Sequence, residues 1–376
     1  MIIKREPEDF IVKEINHLDI SGGSYSYYLL KKIRLTTPDA IKLISRRLKI
    51  DEKNINYAGN KDKDAITEQY ISILNGPKTN INSDSIGKNS ERGNDVEGYG
   101  GKYGERYEEK YELSFIGRGN ERLTLGSLEG NYFEIIVREV SDDFDNVSDN
   151  HYSVPQVFVN YFDDQRFGRD NKNHILGKML VKKQFREFCS TLCIEVFNND
   201  YVGAIKKNFD RRKLLLFIHA YQSYLFNETA DKYLETFEKV NFRKIMYCLG
   251  KLNIPKENIS KKISKIKIPI VGFGTELKNI CKDKKDKTSK DGYEKDEYEI
   301  YTILKQLLEK EGIKSPREFI IPQLNGLTVE GDFRDLVMNV KNLKIEKAGI
   351  NAYKCTFTLP KGSYATIVMK SIFLYM

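Results

Sequence analysis

Two aspartates and two lysines stand close together in one short segment, Gly59–Gln69, which reads GNKDKDAITEQ. The residues on either side of it, 55–58 and 69–74, show the apolar alternation and the β-branched content that are typical of strands. A tight loop between two strands is a place where a rigid scaffold displays reactive groups. The carboxylates Asp62 and Asp64 would suit a metal-dependent nuclease or phosphotransferase if they converged on a divalent ion. The spacing alone specifies no reaction, because most Lys-Asp turns are solvated surface corners.

The composition indicates a globular protein with a polyanionic partner. The chain has 376 residues, enough for one large domain or two ordinary ones. Its mean hydropathy is −0.53. Its net charge of +8 favours nucleic-acid binding, although 54 acidic residues dilute this signal. The sequence contains no run long enough to span a membrane and no apolar signal-peptide core at its start, so we expect a cytoplasmic protein.

The cysteines and histidines are too scattered to suggest a metal centre. The chain has five cysteines and four histidines, and it has no C-x-x-C pair. An odd number of dispersed cysteines argues against a disulfide framework, and the spacing does not match a structural zinc site. We therefore expect no metal ligands.

Hydrophobic periodicity predicts strands, then helices, then strands again. The helical pattern runs from about residue 176 to 308, and a hairpin of residues 122–128 and 132–140 is predicted before it. A helix is expected to begin with Thr37 as its N-cap and Pro38 at its first position. Further strands are predicted at Tyr25–Ile33, Leu336–Val340, Lys354–Leu359 and Tyr364–Lys370. This order indicates a β-rich domain that is interrupted by a helical insertion.

Several separated segments resemble, in order, the motifs of the TruD family of tRNA pseudouridine synthases. They are Lys4–Val12 (KREPEDFIV), Gly59–Gln69, Leu125–Val140 (LGSLEGNYFEIIVREV), Asn160–Gly168 (NYFDDQRFG) and Leu359–Thr366 (LPKGSYAT), with a sixth match at Gln222–Asn227 (QSYLFN). One such motif would be weak evidence, whereas six in order span nearly the whole chain. The chain is therefore identified as similar to this family, as an archaeal-type member. The one visible departure is Asp163, where the family usually has glycine.

The resemblance implies an α+β fold in three parts. A pseudouridine synthase catalytic domain, with a mixed, mainly antiparallel sheet and a central cleft, would comprise residues 1–175 and 319–376. A helix-rich TRUD-type domain would be inserted at residues 176–318. Residues 80–107, which lack an apolar pattern, are predicted to be a flexible insertion in the first part. Basic pairs in the helical part are expected to hold RNA phosphates: Lys182-Lys183, Lys206-Lys207, Arg211-Arg212-Lys213 and Lys261-Lys262.

The resemblance also implies the reaction and the partner. A member of this family isomerises a specific uridine of tRNA to pseudouridine, and the usual target is uridine 13. The expected partner is tRNA. We expect no metal, nucleotide or redox cofactor, no membrane contact, and a monomer.

By the matching motif, the catalytic carboxylate would be Asp62. It would attack C1′ of the ribose or abstract a proton, and the sequence leaves both roles open. Lys4 aligns with the basic partner of this carboxylate, and its ammonium would keep the carboxylate ionised. Lys61 would contact phosphate or shape the loop. Asp64 is expected on the surface, because the family position is variable.

The other motifs supply candidate substrate-binding residues. Phe162 is expected to stack on the extruded target base, and Asn160 to hydrogen-bond near the catalytic loop or to the flipped nucleotide. The remaining candidates organise loops or line the cleft: Gln165, Arg166, Phe167, Lys361, Gly362, Ser363 and Tyr364. Arg166 is a candidate for pairing with a phosphate or a carboxylate, and Gly362 would let backbone approach the substrate closely.

Two other functions remain open from the residues alone. One is a non-catalytic protein that binds or folds RNA, which the basic charge would also suit. The other, less favoured, is a metal-dependent nuclease that uses Asp62 and Asp64.

Overall fold

A computed structural model of the chain describes residues 1–82, 110–141, 144, 158–237, 241–256, 263–277 and 293–374. The chain forms two compact units. The first comprises Met1–His151 with Val340–Gly362, and the second comprises Tyr152–Asn339 with Ser363–Met376. These bounds differ from the predicted domain limits, and the division into a catalytic and a TRUD-type domain stays a prediction. The predicted insertion at residues 80–107 lies outside the described residues beyond residue 82.

The first unit is built on one large sheet, in which ten strands are described. They are β1 (Ile2–Ile3), β2 (Phe10–Ile15), β3 (Tyr25–Ile33), β4 (Ile55–Tyr57), β5 (Ile66–Leu74), β6 (Ile81–Asn82), β7 (Lys110–Gly119), β8 (Gly130–Arg138), β17 (Lys341–Gly349) and β18 (Ala352–Pro360). Their order is β17-β18-β8-β2-β5-β3-β7-β6, with β1 beside β8 and β4 beside β5. Among the described pairs only β2 and β5 run parallel. The predicted α+β fold with a mixed, mainly antiparallel sheet is confirmed.

Helix α1 (Thr37–Leu48) packs on this sheet through one apolar face. Its buried residues Ala40 and Ile44 recur at helical spacing, and they share an apolar cluster with Tyr28 of β3 and Ile71 of β5. Helix α1, which follows β3 along the chain, is therefore held against β5, the strand that contains the end of the Gly59–Gln69 segment.

The cap of α1 is one residue earlier than predicted. The side chain of Thr36 accepts a hydrogen bond from the backbone N–H of Asp39, and Pro38 is the second helical residue. The predicted cap, Thr37, lies inside the first turn and is buried, where its hydroxyl donates to Oε1 of Gln69 at 2.8 Å. Two adjacent threonines satisfy the same local rule, and a long-range contact decides between them.

The predicted hairpin of residues 122–128 and 132–140 is wrong. The second half is β8, but β1 and β2 pair with one of its edges and β18 pairs with the other, so no edge of β8 remains for residues 122–128. These residues form a loop instead. The backbone N–H of Leu123 donates to Oγ of Ser72 at 2.9 Å, and that of Gly126 donates to the carbonyl oxygen of Ala58 at 2.7 Å.

The second unit combines helices with short strand pairs. Its described helices are α2 (Asn173–Val181), α3 (Phe185–Thr191), α4 (Tyr201–Asn208), α5 (Arg211–Glu235), α6 (Tyr293–Glu311) and α7 (Ala365–Phe373). Its described strands are β9 (Phe158–Val159), β10 (Phe242–Tyr247), β11 (Gly250–Pro255), β12 (Lys267–Ile270), β13 (Ile320–Ile321), β14 (Leu327–Thr328), β15 (Asp332–Asp335) and β16 (Val337–Met338). None of the described helices is long and apolar enough to cross a membrane.

Strands interrupt the region that was predicted to be helical. The pair β10 and β11 lies within it, and every second residue of β10, namely Arg243, Ile245 and Tyr247, is buried. This period of two is the strand signal that the helical expectation for residues 176–308 overlooked. Elsewhere in this region the helical pattern is confirmed, for example by the 25 residues of α5.

The strand predicted at Tyr364–Lys370 is wrong, because these residues begin α7. Its residues Ala365 and Ile367–Phe373 are all buried, and it packs against β9 and β10. The periodicity of a short, mostly apolar run does not distinguish a buried helix from a buried strand. The β-branched residues of this run favoured a strand, which was wrong.

Candidate active site

In the first unit, the candidate carboxylate stands on the loop between β4 and β5. Nζ of Lys4 donates to Oδ2 of Asp62 at 2.8 Å, and the side chain of Asp62 is 33% exposed. Lys4 has a φ of 65°, which is uncommon for a residue with a side chain. Its ammonium also lies 4.0 Å from the ring centroid of Phe10. The arrangement is an accessible carboxylate that is paired with the ammonium group of Lys4.

Lys61 points into the protein and anchors the loop. Its Nζ forms an ion pair with Oε2 of Glu14 at 2.8 Å and donates to Oδ1 of Asn131 at 2.9 Å. Its backbone N–H donates to Oγ1 of Thr37 at 2.9 Å. Both charged side chains are almost fully buried. These contacts support the loop-shaping role for Lys61 rather than a phosphate contact, and its role stays a prediction.

Lys32 also holds the loop that carries Asp62, and the sequence analysis did not identify it. Its Nζ donates to three main-chain carbonyl oxygens, those of Leu35 at 2.7 Å, Asp62 at 2.8 Å and Lys61 at 3.3 Å. Lys32 is fully buried. Burial lowers its pKa to about 8, which the charge of Asp62 opposes and that of Lys61 reinforces. A signal for it exists in the sequence, because Lys32 is in phase with the core positions of β3.

Gln69, the last residue of the motif, closes the loop. Its Nε2 donates to the carbonyl oxygen of Gly59 at 3.0 Å, and its Oε1 accepts from the hydroxyl of Thr37. The first and last residues of the segment Gly59–Gln69 are therefore joined through one buried amide. Asp64, in contrast, is exposed.

In the second unit, the ring of Phe162 is covered. The residue is only 5% exposed, and Cζ of Arg334 lies 4.1 Å from the ring centroid. Phe226 and Tyr364 contact the ring edge-on, at centroid distances of 5.4 and 5.9 Å. Stacking of a base on this ring would require one of these neighbours to move. The base-stacking role of Phe162 stays a prediction.

Two asparagines fix the surroundings of Phe162. Asn227 binds the main chain of Phe162, and Asn160 binds Arg334, which covers the ring. Oδ1 of Asn227 accepts from the backbone N–H of Phe162 at 2.9 Å, and its Nδ2 donates to the carbonyl oxygen of Phe162 at 2.8 Å. Asn160 accepts from Arg334 through its carbonyl oxygen and its side-chain Oδ1, at 2.8 and 2.6 Å. The motif Gln222–Asn227 thus positions Phe162, a contact that sequence reasoning did not assign.

The other predicted residues differ in exposure and contacts. Gln165 is exposed, whereas Phe167 is fully buried and packs against His174 and Tyr247. Nε of Arg166 donates to the hydroxyl of Tyr364 at 3.2 Å.

The residues of the last motif fall in both units. In the first unit, Nζ of Lys361 donates to the carbonyl oxygen of Gly126 at 2.7 Å, and Gly362 has a φ of 79° that favours glycine. In the second unit, Oγ of Ser363 is buried without a hydrogen-bond partner among the described residues.

Asp163, the one departure from the family motif, takes part in a buried ionic cluster. Nζ of Lys370 lies 2.6 Å from Oδ1 of Asp163 and 2.8 Å from Oδ2 of Asp164. Asp164 also accepts from the backbone N–H of Cys248 at 2.8 Å. Burial alone would lower the pKa of Lys370, but the two carboxylates raise it. Burial alone would raise the pKa of Asp164, but Lys370 lowers it.

We expect Lys370→Met to lower the free energy of unfolding by roughly 3 kcal/mol, because it leaves the buried carboxylate of Asp163 without its cation. Urea unfolding measures the change, and Lys305→Met, on the exposed face of α6, is the matched control. Since the pKa of Asp164 is lowered, its stabilisation is present above pH 3.8 and is lost as the pH falls below it. The difference between wild type and variant should therefore shrink in acid, and equal stability at pH 7 would contradict the prediction.

Among the described residues, no group of three or more histidine, cysteine, aspartate or glutamate side chains could hold a metal ion. The candidate residues of the first unit are Lys4, Asp62 and the residues that hold their loop. Those of the second unit are Phe162, Arg334 and their neighbours.

The α+β fold and the contact of Lys4 with Asp62 on the loop between two strands are what the resemblance to pseudouridine synthases implied. The family model described as tRNA pseudouridine synthase D (TruD) matches residues 1–206 and 195–372. The chain belongs to the TruD family of tRNA pseudouridine synthases.

Curated relatives agree with this assignment, and a solved structure shares the fold. The chain is 31% identical to tRNA pseudouridine synthase D of Aquifex aeolicus, over 99% of this chain and 97% of that protein. It is 30% identical to a probable tRNA pseudouridine synthase D of Nanoarchaeum equitans, over 100% of this chain and 99% of that protein. The crystal structure of a putative TruD from Methanosarcina mazei shares the fold, with a TM-score of 0.58 and 22% identity over 99% of this chain and 93% of that one.

Proposed function

We propose that this protein isomerises a uridine of tRNA to pseudouridine, with uridine 13 as the expected target and Asp62 as the catalytic carboxylate. The observation that carries the proposal is the contact of Asp62 with Lys4 at 2.8 Å on a loop that remains accessible. Membership of the family supports tRNA as the substrate.

The reaction moves one bond within a nucleotide and needs no external electron donor or acceptor. The bond between N1 of the base and C1′ of the ribose breaks and a bond between C5 and C1′ forms. The proton on C5 leaves to solvent, and N1 takes up a proton, so the product is an isomer of the substrate. Asp62 either attacks C1′ or takes up a proton, and both roles suit an ionised carboxylate. The ammonium of Lys4 donates a hydrogen bond to this carboxylate at 2.8 Å.

The loop geometry supports this role, because catalysis requires the carboxylate to keep a defined position. Lys32 binds the main-chain oxygen of Asp62, and Gln69 closes the loop at Gly59. Lys61 ties the preceding residue to Glu14. A reacting group on a loop held at these points needs little reorganisation when RNA binds.

Tritium release from tRNA labelled at C5 of uridine tests the proposal, since only bond formation at C5 releases that proton. We expect release by the wild-type protein in the presence of EDTA, and none from a transcript in which uridine 13 is replaced by cytidine. Release that requires a divalent ion would contradict a metal-free reaction. Tight tRNA binding without any release would favour a non-catalytic RNA-binding protein instead. Release that persists with cytidine 13 would contradict the target and leave the reaction standing.

A further inference from the structure

The second unit contains a cavity of about 700 Å³ beside Phe162. This size lies in the range of small-molecule sites and exceeds what a single side chain fills. Arg166 and Arg334 line it, together with Phe162 and residues of α5 such as Gln222 and Ser223. The amide of Gln222 is already used, because its Nε2 donates to the carbonyl oxygens of Val271 and Glu330 at 2.7 and 3.1 Å. The two guanidinium groups are therefore the main cationic features of the cavity wall.

Arg334 is held in place by neutral groups. Asn160 accepts its two hydrogen bonds, and Phe162 and Phe226 lie 4.1 and 5.6 Å from its Cζ. Burial, with the positive charge of Arg166 adding to it, lowers the pKa of Arg334 to about 10, although Tyr364 and the carboxylate of Asp335 oppose this. The side chain therefore stays charged at neutral pH in a place that is unfavourable for a cation.

Arg166 approaches the same ring. Its Cζ lies 5.3 Å from the ring centroid of Phe162, and its Nε donates to the hydroxyl of Tyr364. In the part of the chain that the structure describes, neither Arg166 nor Arg334 forms an ion pair with a carboxylate. Glu330 and Asp332 also line the cavity, but both are exposed. Two cations that lie close together without a direct ion pair are stabilised when an anion binds between them.

We propose that Arg166 and Arg334 form a phosphodiester-binding site in this cavity, which holds the RNA backbone next to a nucleotide extruded from the stack. A guanidinium group matches a phosphate through two parallel N–H donors, and both arginines keep donors beyond those used by Asn160 and Tyr364. Tyr364, the partly exposed ring next to Arg166, suits the base of the same nucleotide. This inference rests on the proposed function, because it takes the ligand to be the tRNA substrate.

The first test compares Arg166→Gln and Arg334→Gln with the control Arg317→Gln, whose side chain is exposed elsewhere in the second unit. Fluorescence anisotropy gives the Kd of tRNA at several salt concentrations. We expect each cavity variant to bind about tenfold more weakly and to reduce the salt slope of log K by about 0.7 to 0.9, as loss of one phosphate contact does. Arg317→Gln should match the wild type. A variant that only loosens the fold would lose stability without this change of slope.

The second test places a neutral methylphosphonate at each linkage that flanks the target uridine. One of these linkages should weaken binding by the wild type about tenfold and have no further effect on Arg334→Gln, because the contact is already lost. Equal and additive losses in wild type and variant would overturn the proposal.

The outcomes separate this site from the proposed function. If the wild type releases tritium but the cavity variants keep its Kd and salt slope, the site is wrong and the isomerase stands. If the variants lose salt-dependent tRNA binding while the wild type releases no tritium, the site stands and the proposed reaction fails. If the wild type does not bind tRNA, both are wrong.

Discussion

Replacing Asp62 with asparagine is expected to lower kcat for pseudouridine formation at least about 10³-fold, because the amide can neither attack C1′ nor accept a proton. The two side chains have the same shape, and Lys4 can still donate to the amide oxygen. We therefore expect the variant to keep its fold and its affinity for tRNA. Single-turnover tritium release measures the rate, and anisotropy measures the binding.

Asp64→Asn is the matched control for this variant, because Asp64 lies on the same loop, carries the same charge and is exposed. Its rate should equal that of the wild type. Equal and large losses in Asp62→Asn and Asp64→Asn would contradict a single catalytic carboxylate and would point to paired acidic ligands for a metal. Full activity of Asp62→Asn would rule out its catalytic role.

Lys32→Met is expected to lower kcat about 10²-fold, although the side chain of Lys32 binds main-chain oxygens and not the reacting atoms. Methionine has a similar length but no donor, so the main-chain oxygens of Leu35 and Asp62 lose their buried partner. The loop then shifts, and a displacement of about 1 Å at a reacting group costs about that much in rate. The free energy of unfolding should fall by about 2 kcal/mol, since unsatisfied buried carbonyls cost more than the removed desolvation of the ammonium returns. Lys31→Met, at the exposed neighbouring position of β3, is the control.

The pH dependence gives Lys32 a second and more specific test. Its pKa in the folded protein is lowered from the ordinary value of 10.5 to about 8. Between these values the unfolded chain binds more protons, so this group makes stability rise with pH over that range. Activity should fall over the same range as the buried ammonium beneath Asp62 loses its charge. Lys32→Met should show neither trend from this group, and a pH profile of the variant that matches the wild type would contradict the assignment.

Residue patterns predicted secondary structure correctly where the residues of one segment were enough to define it. The strand Tyr25–Ile33 is confirmed as β3, and the Gly59–Gln69 segment does join two strands. The six motifs were enough to indicate the family, which the comparisons then showed. The contact of Lys4 with Asp62 also agrees with the pairing that the resemblance implied.

Local pattern failed where a partner far along the chain decides the outcome. Residues 122–128 have strand-like composition, but β2 and β18 occupy both sides of β8. Residues 364–370 are rich in β-branched side chains, but they begin helix α7, which packs against β9 and β10 and buries most of its residues. Thr37 could have capped α1, but it bonds with Gln69 instead.

The sequence by itself determined the family, the α+β class, and the segment that carries Asp62, because residue types and their spacing along the chain are sufficient for these. Only the tertiary structure decided that Lys32 lies beneath Asp62, that Lys61 turns inward to Glu14, and that Arg334 covers Phe162. Each of these contacts joins residues from separate elements, and burial gives a polar or charged group its effect through the partners that surround it. The packing of strands and helices decides which groups become partners. The spacing of residues within a single segment does not reveal that packing.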